Sequence, residues 1–163
     1  MKPWNKLKIY FDTCCYCRPF DNWAHWTQLR VQQEITIIMY IIKMCAISGI
    51  PIVGSSAVDA EIEEIKKDNN KRGLVRAFYE RIVTDELMET ASIIERAREL
   101  RARGICGEFD PYHVAFAEAD GAEFLITTDD RFERSAGKLD LKTRVINPIN
   151  FLGEHFVWLL SST

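Results

Sequence analysis

Four carboxylates stand where a parallel sheet would gather them. Asp12 closes the run Leu7-Lys8-Ile9-Tyr10-Phe11, whose β-branched and aromatic residues predict a strand. Asp129 follows Phe124-Leu125-Ile126-Thr127, a second such run. Asp110 precedes Pro111, a residue favoured in the first turn of a helix. Glu61 falls about two turns into the helix expected after the strand Ile50–Val53. In open parallel sheets, sites form outside the carboxyl ends of the strands. The four groups are therefore expected to meet at one edge. Carboxylates at close range repel unless a cation sits between them. Hard oxygen ligands of this kind suit Mg2+ or Mn2+.

Taken singly, each acid has an ordinary explanation. An aspartate at a helix start caps it, one after a strand turns the chain, and a glutamate on a helix faces water. The metal reading rests on the four together. Asp12, Glu61, Asp110 and Asp129 are the candidate catalytic residues and the candidate metal ligands. Thr13 and Thr127 lie beside two of them, where a hydroxyl can hydrogen-bond a carboxylate. Arg18, six residues after Asp12, is expected at the rim. His113 falls three residues after Asp110, near the same helix face. It is placed to touch a substrate phosphate or a carboxylate, with simple packing the commoner role for such a residue. Thr13, Arg18, His113 and Thr127 are the candidate substrate contacts. His25 and His155 have no constellation around them, and metal ligation by histidine is not expected.

The elements that would position these residues alternate along the chain. Helix is expected from Thr27 to Ser48, ended by Gly49, and from Ala57, capped by Ser55-Ser56. It is expected again over Leu74 to Val83, then after Asp85 as a cap with Leu87, Ala91, Ile94 and Ala97 on one stripe, ending at Gly104. Two further helices start at Asp110 and Arg131. Thr143 to Ile146 is a strand broken by Asn147-Pro148, and a short fifth strand is expected near Ile105 to Phe109. This alternation predicts an α/β fold, a three-layer α/β/α sandwich around a mostly parallel sheet of four to five strands. One domain over residues 1–163 is expected, with its core at 6–152 and a tail at 153–163 that is apolar enough to dock.

Composition bounds the function class. The 163 residues are 47% hydrophobic and 28% charged, which excludes a disordered chain. The net charge of -3, from 21 basic and 24 acidic residues, disfavours a purely electrostatic nucleic-acid binder. Local basic runs remain, at Lys66 to Arg76 and at Arg96 to Arg103; the first is the better phosphate-contact candidate. Tyr16, Trp23 and Trp26 offer faces for unpaired bases. Five cysteines, three of them crowded at Cys14, Cys15 and Cys17, point to a reducing compartment rather than a disulfide scaffold. The lone Cys14/Cys17 pair lacks the second pair of a zinc site. No secretory signal is visible. The most apolar segment, Ile35 to Ile47, is short for a bilayer span. A cytoplasmic protein without membrane contact is expected.

Four motifs in order resemble those of the PIN-domain nucleases. They are Ile9-Tyr10-Phe11-Asp12-Thr13, then Ser55-Ser56-Ala57-Val58-Asp59-Ala60-Glu61, then Asp110-Pro111-Tyr112-His113-Val114-Ala115-Phe116-Ala117, then Leu125-Ile126-Thr127-Thr128-Asp129. The ending Val145-Ile146-Asn147-Pro148, followed by Phe151-Leu152, is similar as well. The Arg18-Pro19-Phe20-Asp21 loop resembles a prokaryotic subgroup, the toxin-type ribonucleases of toxin–antitoxin pairs. Asp130 beside Asp129, and Asp120 after the Asp110 helix, are the competing acids; Asp120 precedes Gly121, a turn context. The resemblance implies a Mg2+- or Mn2+-dependent endoribonuclease that hydrolyses phosphodiester bonds in RNA. A protein antitoxin is its implied partner. The apolar Ile35 to Ile47 and Phe156 to Leu160 suggest a homodimer. The alternative is a non-catalytic PIN-like scaffold, which would have no need of clustered acids. A dehalogenase-type phosphohydrolase would need a second Asp where Cys14 stands.

Overall fold

The computed structural model describes residues 7–22, 28–65 and 69–160. A five-stranded, all-parallel sheet lies at its centre: β1 (Ile9–Phe11), β2 (Ile52–Ser55), β3 (Asp85–Leu87), β4 (Phe124–Ile126) and β5 (Arg144–Ile146), in the order β3-β2-β1-β4-β5. The helices are α1 (Thr13–Cys17), α2 (Leu29–Ser48), α3 (Ser56–Glu63), α4 (Asn69–Ile82), α5 (Ala91–Ala102), α6 (Asp110–Asp120), α7 (Asp130–Ala136) and α8 (Pro148–Leu160), with a 3-10 turn over Arg18–Phe20. They flank the sheet to make three layers. Every residue of β1, β2 and β4 is buried, as strands covered on both faces must be. Chain order reverses direction between β1 and β4, the point where α/β sheets open a crevice. Asp12 extends that seam, its N–H donating to the Ile126 carbonyl at 2.9 Å.

Two expectations about elements are corrected. Asp85 does not cap a helix. It opens β3, pairing with Val53, and α5 starts later with Thr90 as its cap. Asp and Glu are poor strand formers, so Asp85-Glu86-Leu87 does not read as a strand. On an exposed sheet edge, charged residues discourage pairing with other chains and are tolerated. The fifth strand is therefore β3, not residues 105–109. There Gly104 and Gly107 adopt φ of +109° and +108°, which breaks any extended run.

Helix α2 ends at Gly49, in the left-handed conformation expected of it. At 20 residues the whole helix is long and apolar enough, by length and composition alone, to cross a membrane, although its apolar segment Ile35 to Ile47 is shorter. Its packing is that of a core helix. Val31, Ile35, Ile37, Ile38, Ile41, Met44 and Cys45 are buried, and it lies against α8. These side chains are covered by its own chain, while Leu29, Met39 and Ile47 stay exposed. Glu34, also buried, accepts a hydrogen bond from Arg30 at 2.9 Å and forms an ion pair with Arg18 at 2.9 Å.

Candidate active site

Asp12 is 4% exposed and held from two sides. Its Oδ2 accepts from the Thr127 hydroxyl at 2.6 Å and from the Cys14 thiol at 3.0 Å. The Thr127 hydroxyl in turn accepts the Asp129 N–H at 3.0 Å, so one buried oxygen couples the ends of β1 and β4. Cys14, which reads from the sequence as ordinary packing, also accepts the Thr128 N–H at 3.2 Å. It is a structural brace of the first acid. The signal was its place two residues after Asp12.

Glu61 is brought in by the cap of α3, where the Ser55 hydroxyl accepts the Val58 N–H at 3.3 Å. Its Oε2 stands 2.9 Å from His113 Nε2. Burial pushes the Glu61 carboxyl up, but His113 and the Thr13 hydroxyl outweigh it, and the group sits below its usual range. His113 is fully buried on α6 and also faces Asp12 Oδ1 at 3.4 Å. Its Nδ1 lies 2.9 Å from the Tyr10 hydroxyl, which lies 2.6 Å from the Ser55 hydroxyl. Burial would lower the imidazole pKa. The Glu61 hydrogen bond and the charges of Asp12, Glu61 and Asp110 raise it above its ordinary value. His113 is thus inside the cluster, out of reach of a substrate, and takes the carboxylate contact. Sequence reasoning missed the depth of this position and its chain to Tyr10 and Ser55.

Asp110 opens α6, but Phe109 occupies the cap position and the Asp110 side chain makes no cap hydrogen bond. Burial, with the charges of Asp12, Asp129 and Glu61, raises its carboxyl to about 7 against an opposing effect of His113. It lies over Gly107, where a Cβ would fall 2.6 Å from its Oδ2. Asp129 differs: its Oδ1 caps α7, accepting the N–H groups of Arg131 at 2.7 Å and Phe132 at 3.2 Å. The competing acids are engaged elsewhere. Asp130 pairs with Arg30, and Asp120 pairs with Lys8 at 3.0 Å, at the far end of α6.

The donor atoms of Asp12, Glu61 and His113 lie within 4.8 Å of one another. Asp110 shares their electrostatics and Asp129 is tethered to Asp12 through Thr127. Among the described residues, no Lys or Arg pairs with Asp12, Glu61 or Asp110; His113 is their only ionic partner. Such a donor set fits a divalent cation.

The expected basic contacts are mostly committed to acids. Arg18 bonds Asp21 at 3.0 Å and Glu34 at 2.9 Å. Lys71 bonds Asp21, and Arg76 bonds Asp59 and Glu63. Arg96 is held by Glu118 and Glu99. Tyr16 is buried against Phe11 and Tyr79 and offers no face to a base. Trp23, His25, Trp26, Lys66 and Lys67 lie outside the described residues. Two hollows flank Asp129. One, of about 450 Å3, is lined by Gly107, Asp110, Asp129, Arg131 and Phe132. The other, of about 530 Å3, is lined by Cys14, Arg18, Asp129, Arg131 and Arg134. Arg131 is 87% exposed and borders both.

The family model for the PIN domain matches residues 39–138, which include Glu61, Asp110 and Asp129. The chain belongs to the PIN domain family. Asp12 precedes the matched span, but β1 pairs between β2 and β4 inside this PIN domain's sheet. A comparison with curated proteins finds no significant match. Among solved structures, the fold is similar to that of VapBC2 from Rickettsia felis, determined with a DNA fragment from the promoter. That similarity has a TM-score of 0.58 at 19% identity, over 86% of this chain and 98% of the other. FitAcB from Neisseria gonorrhoeae is similar with a TM-score of 0.55 at 15% identity, over 86% and 97%.

Proposed function

We propose that this PIN domain is a divalent-metal-dependent endoribonuclease, using Mg2+ or Mn2+, that acts in the cytoplasm as the toxin of a toxin–antitoxin pair. The observation that carries the reading is the cluster of carboxylates around the buried Asp12, in which, among the described residues, no Lys or Arg pairs with Asp12, Glu61 or Asp110. Asp12, Glu61, Asp110 and Asp129 are the residues that would hold the cation. A divalent cation supplies a Lewis acid there, which acidifies water and offsets charge building on the phosphoryl oxygens.

The chain's own residues supply the rest. Thr127 and Cys14 fix Asp12. Glu61, kept ionised, orients the attacking water and takes its proton. Attack is in line with the departing 3′ oxygen, so no Ser or Cys nucleophile is required. Arg131 and Arg134, beside Asp129, meet the phosphates flanking the scissile bond. The toxin role is supported by the Arg18-Pro19-Phe20-Asp21 resemblance and the folds of VapBC2 and FitAcB. A protein antitoxin is the partner this implies. Exposed Leu29, Met39 and Ile47 on α2 are the apolar surface available for a homodimer.

The test is cleavage of a labelled structured RNA with Mg2+ or Mn2+, beside an Asp12→Asn variant and an EDTA control. Cleavage by the wild type, lost in both controls, is expected. Cleavage that persists in either control overturns the reading.

A further inference from the structure

We infer that His113 is a nitrogen ligand of this centre, and that it biases the site toward a first-row transition ion such as Mn2+ over Mg2+. The inference rests on the metal-dependent reading above. His113 Nε2 is 2.9 Å from Glu61 Oε2 and 3.4 Å from Asp12 Oδ1. Two ligands at right angles, each about 2.1 Å from one ion, are about 3 Å apart. His113 Nε2 therefore already stands from each carboxylate oxygen at about the spacing of neighbours in one coordination shell, and all three donor atoms lie within 4.8 Å of one another.

The other ring nitrogen supports the assignment. A ligating imidazole needs its second N–H held by an acceptor. Nδ1 has the Tyr10 hydroxyl at 2.9 Å, and Tyr10 has the Ser55 hydroxyl at 2.6 Å. His113, Tyr10 and Ser55 are all 0% exposed. With Nδ1–H donating to Tyr10 and Tyr10 donating to Ser55, the Nε2 lone pair is free for a cation. With both hydroxyls turned, Ser55 donates to Tyr10, Tyr10 donates to Nδ1, and Nε2–H donates to Glu61. Exchanging these states turns both hydroxyls and moves the imidazole proton from Nδ1 to Nε2, with no heavy atom displaced. A histidine that only filled space would need neither two carboxylates on one nitrogen nor a reversible partner on the other.

Ligand chemistry sets the preference. Mg2+ favours oxygen and retained water, whereas imidazole suits first-row transition ions. Four oxygen donors alone would leave the site indifferent to this distinction; His113 does not.

The test uses tag-free protein titrated with Mn2+ by calorimetry, then examined by electron spin-echo envelope modulation. Nitrogen-14 modulation from a directly coordinated imidazole is expected in the wild type. His113→Gln is expected to lose it, bind Mn2+ about 10- to 100-fold more weakly, and lose most of the Mn2+-over-Mg2+ preference. Tyr10→Phe, which keeps Nε2 in place, is expected to retain the modulation with weaker binding. Mn2+ bound by the wild type without nitrogen modulation overturns the inference and leaves the metal-dependent reading intact. Modulation that survives in folded His113→Gln also overturns it. Failure of the wild type to bind Mn2+ at all overturns the metal-dependent reading itself.

Discussion

Replacing Thr127 by Val keeps the shape of a fully buried side chain and removes one oxygen. That oxygen donates to Asp12 at 2.6 Å and accepts from the Asp129 N–H at 3.0 Å. A hydrogen bond to a charged group contributes about 1.5–3 kcal/mol. An orphaned N–H costs about 1–3 kcal/mol; Asp129 is half-exposed, so the lower end applies. The Cys14 thiol still reaches Asp12, which argues against the upper end of the first range. The expected loss is about 3 kcal/mol, or about 6–12 °C in Tm for a chain of this size. Because Thr127 orients a carboxylate of the metal centre, Mn2+ affinity should also fall about 10- to 100-fold. Thr127→Ser keeps the hydroxyl and should recover the metal affinity, with only the smaller loss of a buried methyl in Tm. Calorimetric unfolding of the metal-free protein and Mn2+ titration measure both effects. A Val variant with wild-type Tm and wild-type affinity would refute the view that this hydroxyl couples the two acids.

Three further predictions follow from neighbouring groups. The Asp110 carboxyl, raised to about 7 in the fold, makes metal-free stability fall as pH rises from 3.8 through 7. Asp110→Asn should therefore match the wild type near pH 3 and exceed it at pH 8.5 by about 1–2 kcal/mol after solvent screening; saturating Mn2+ should reverse the order at pH 8.5, as denaturant curves will show. Gly107→Ala places a Cβ 2.6 Å from Asp110 Oδ2 at a φ of +108°; it should cost about 1–3 kcal/mol and weaken Mn2+ binding several-fold, read by thermal unfolding and calorimetry. Glu34→Gln removes a buried charge held by Arg18 and Arg30; it should cost about 3 kcal/mol while leaving Mn2+ affinity within about twofold, and a large affinity loss would contradict the separation of this pair from the metal centre.

The sequence made the sheet legible where strands were central. Ile9-Tyr10-Phe11 and Phe124-Leu125-Ile126 carry the apolar β-forming residues that double-sided burial demands. It misled at the edge, where Asp85-Glu86-Leu87 survives as a strand through its ladder to β2 rather than through its own propensity. The acids followed the same logic. Strand ends and a helix start placed Asp12, Asp129 and Asp110 by topology, which spacing can show. It could not show that Asp110 is released from capping because Phe109 holds the cap position, or that Asp129 spends one oxygen on its own helix. His113 was underestimated for the same reason. Three residues after Asp110 fixes a helix face, but the partners on that face come from β1 and α3, which are remote in sequence.

Those remote partners explain how the cluster is tolerated before any cation arrives. Asp12, Glu61 and Asp110 converge with no Lys or Arg paired to them among the described residues, an arrangement that by itself opposes folding. Three local responses relieve it. Asp110 retains a proton to about 7, Glu61 leans on His113, and Asp12 is solvated by Thr127 and Cys14 in place of water. Each response also prepares the centre. The imidazole beside Glu61 is a nitrogen ligand once Nε2 gives up its proton, and the donors that solvate Oδ2 of Asp12 leave Oδ1 directed at the cluster. A site braced only for stability would have recruited a permanent cation such as the Arg30 and Arg18 that surround Glu34. The same chain uses that solution one helix away, so the use of a titratable imidazole beside Asp12 marks a charge meant to be exchanged.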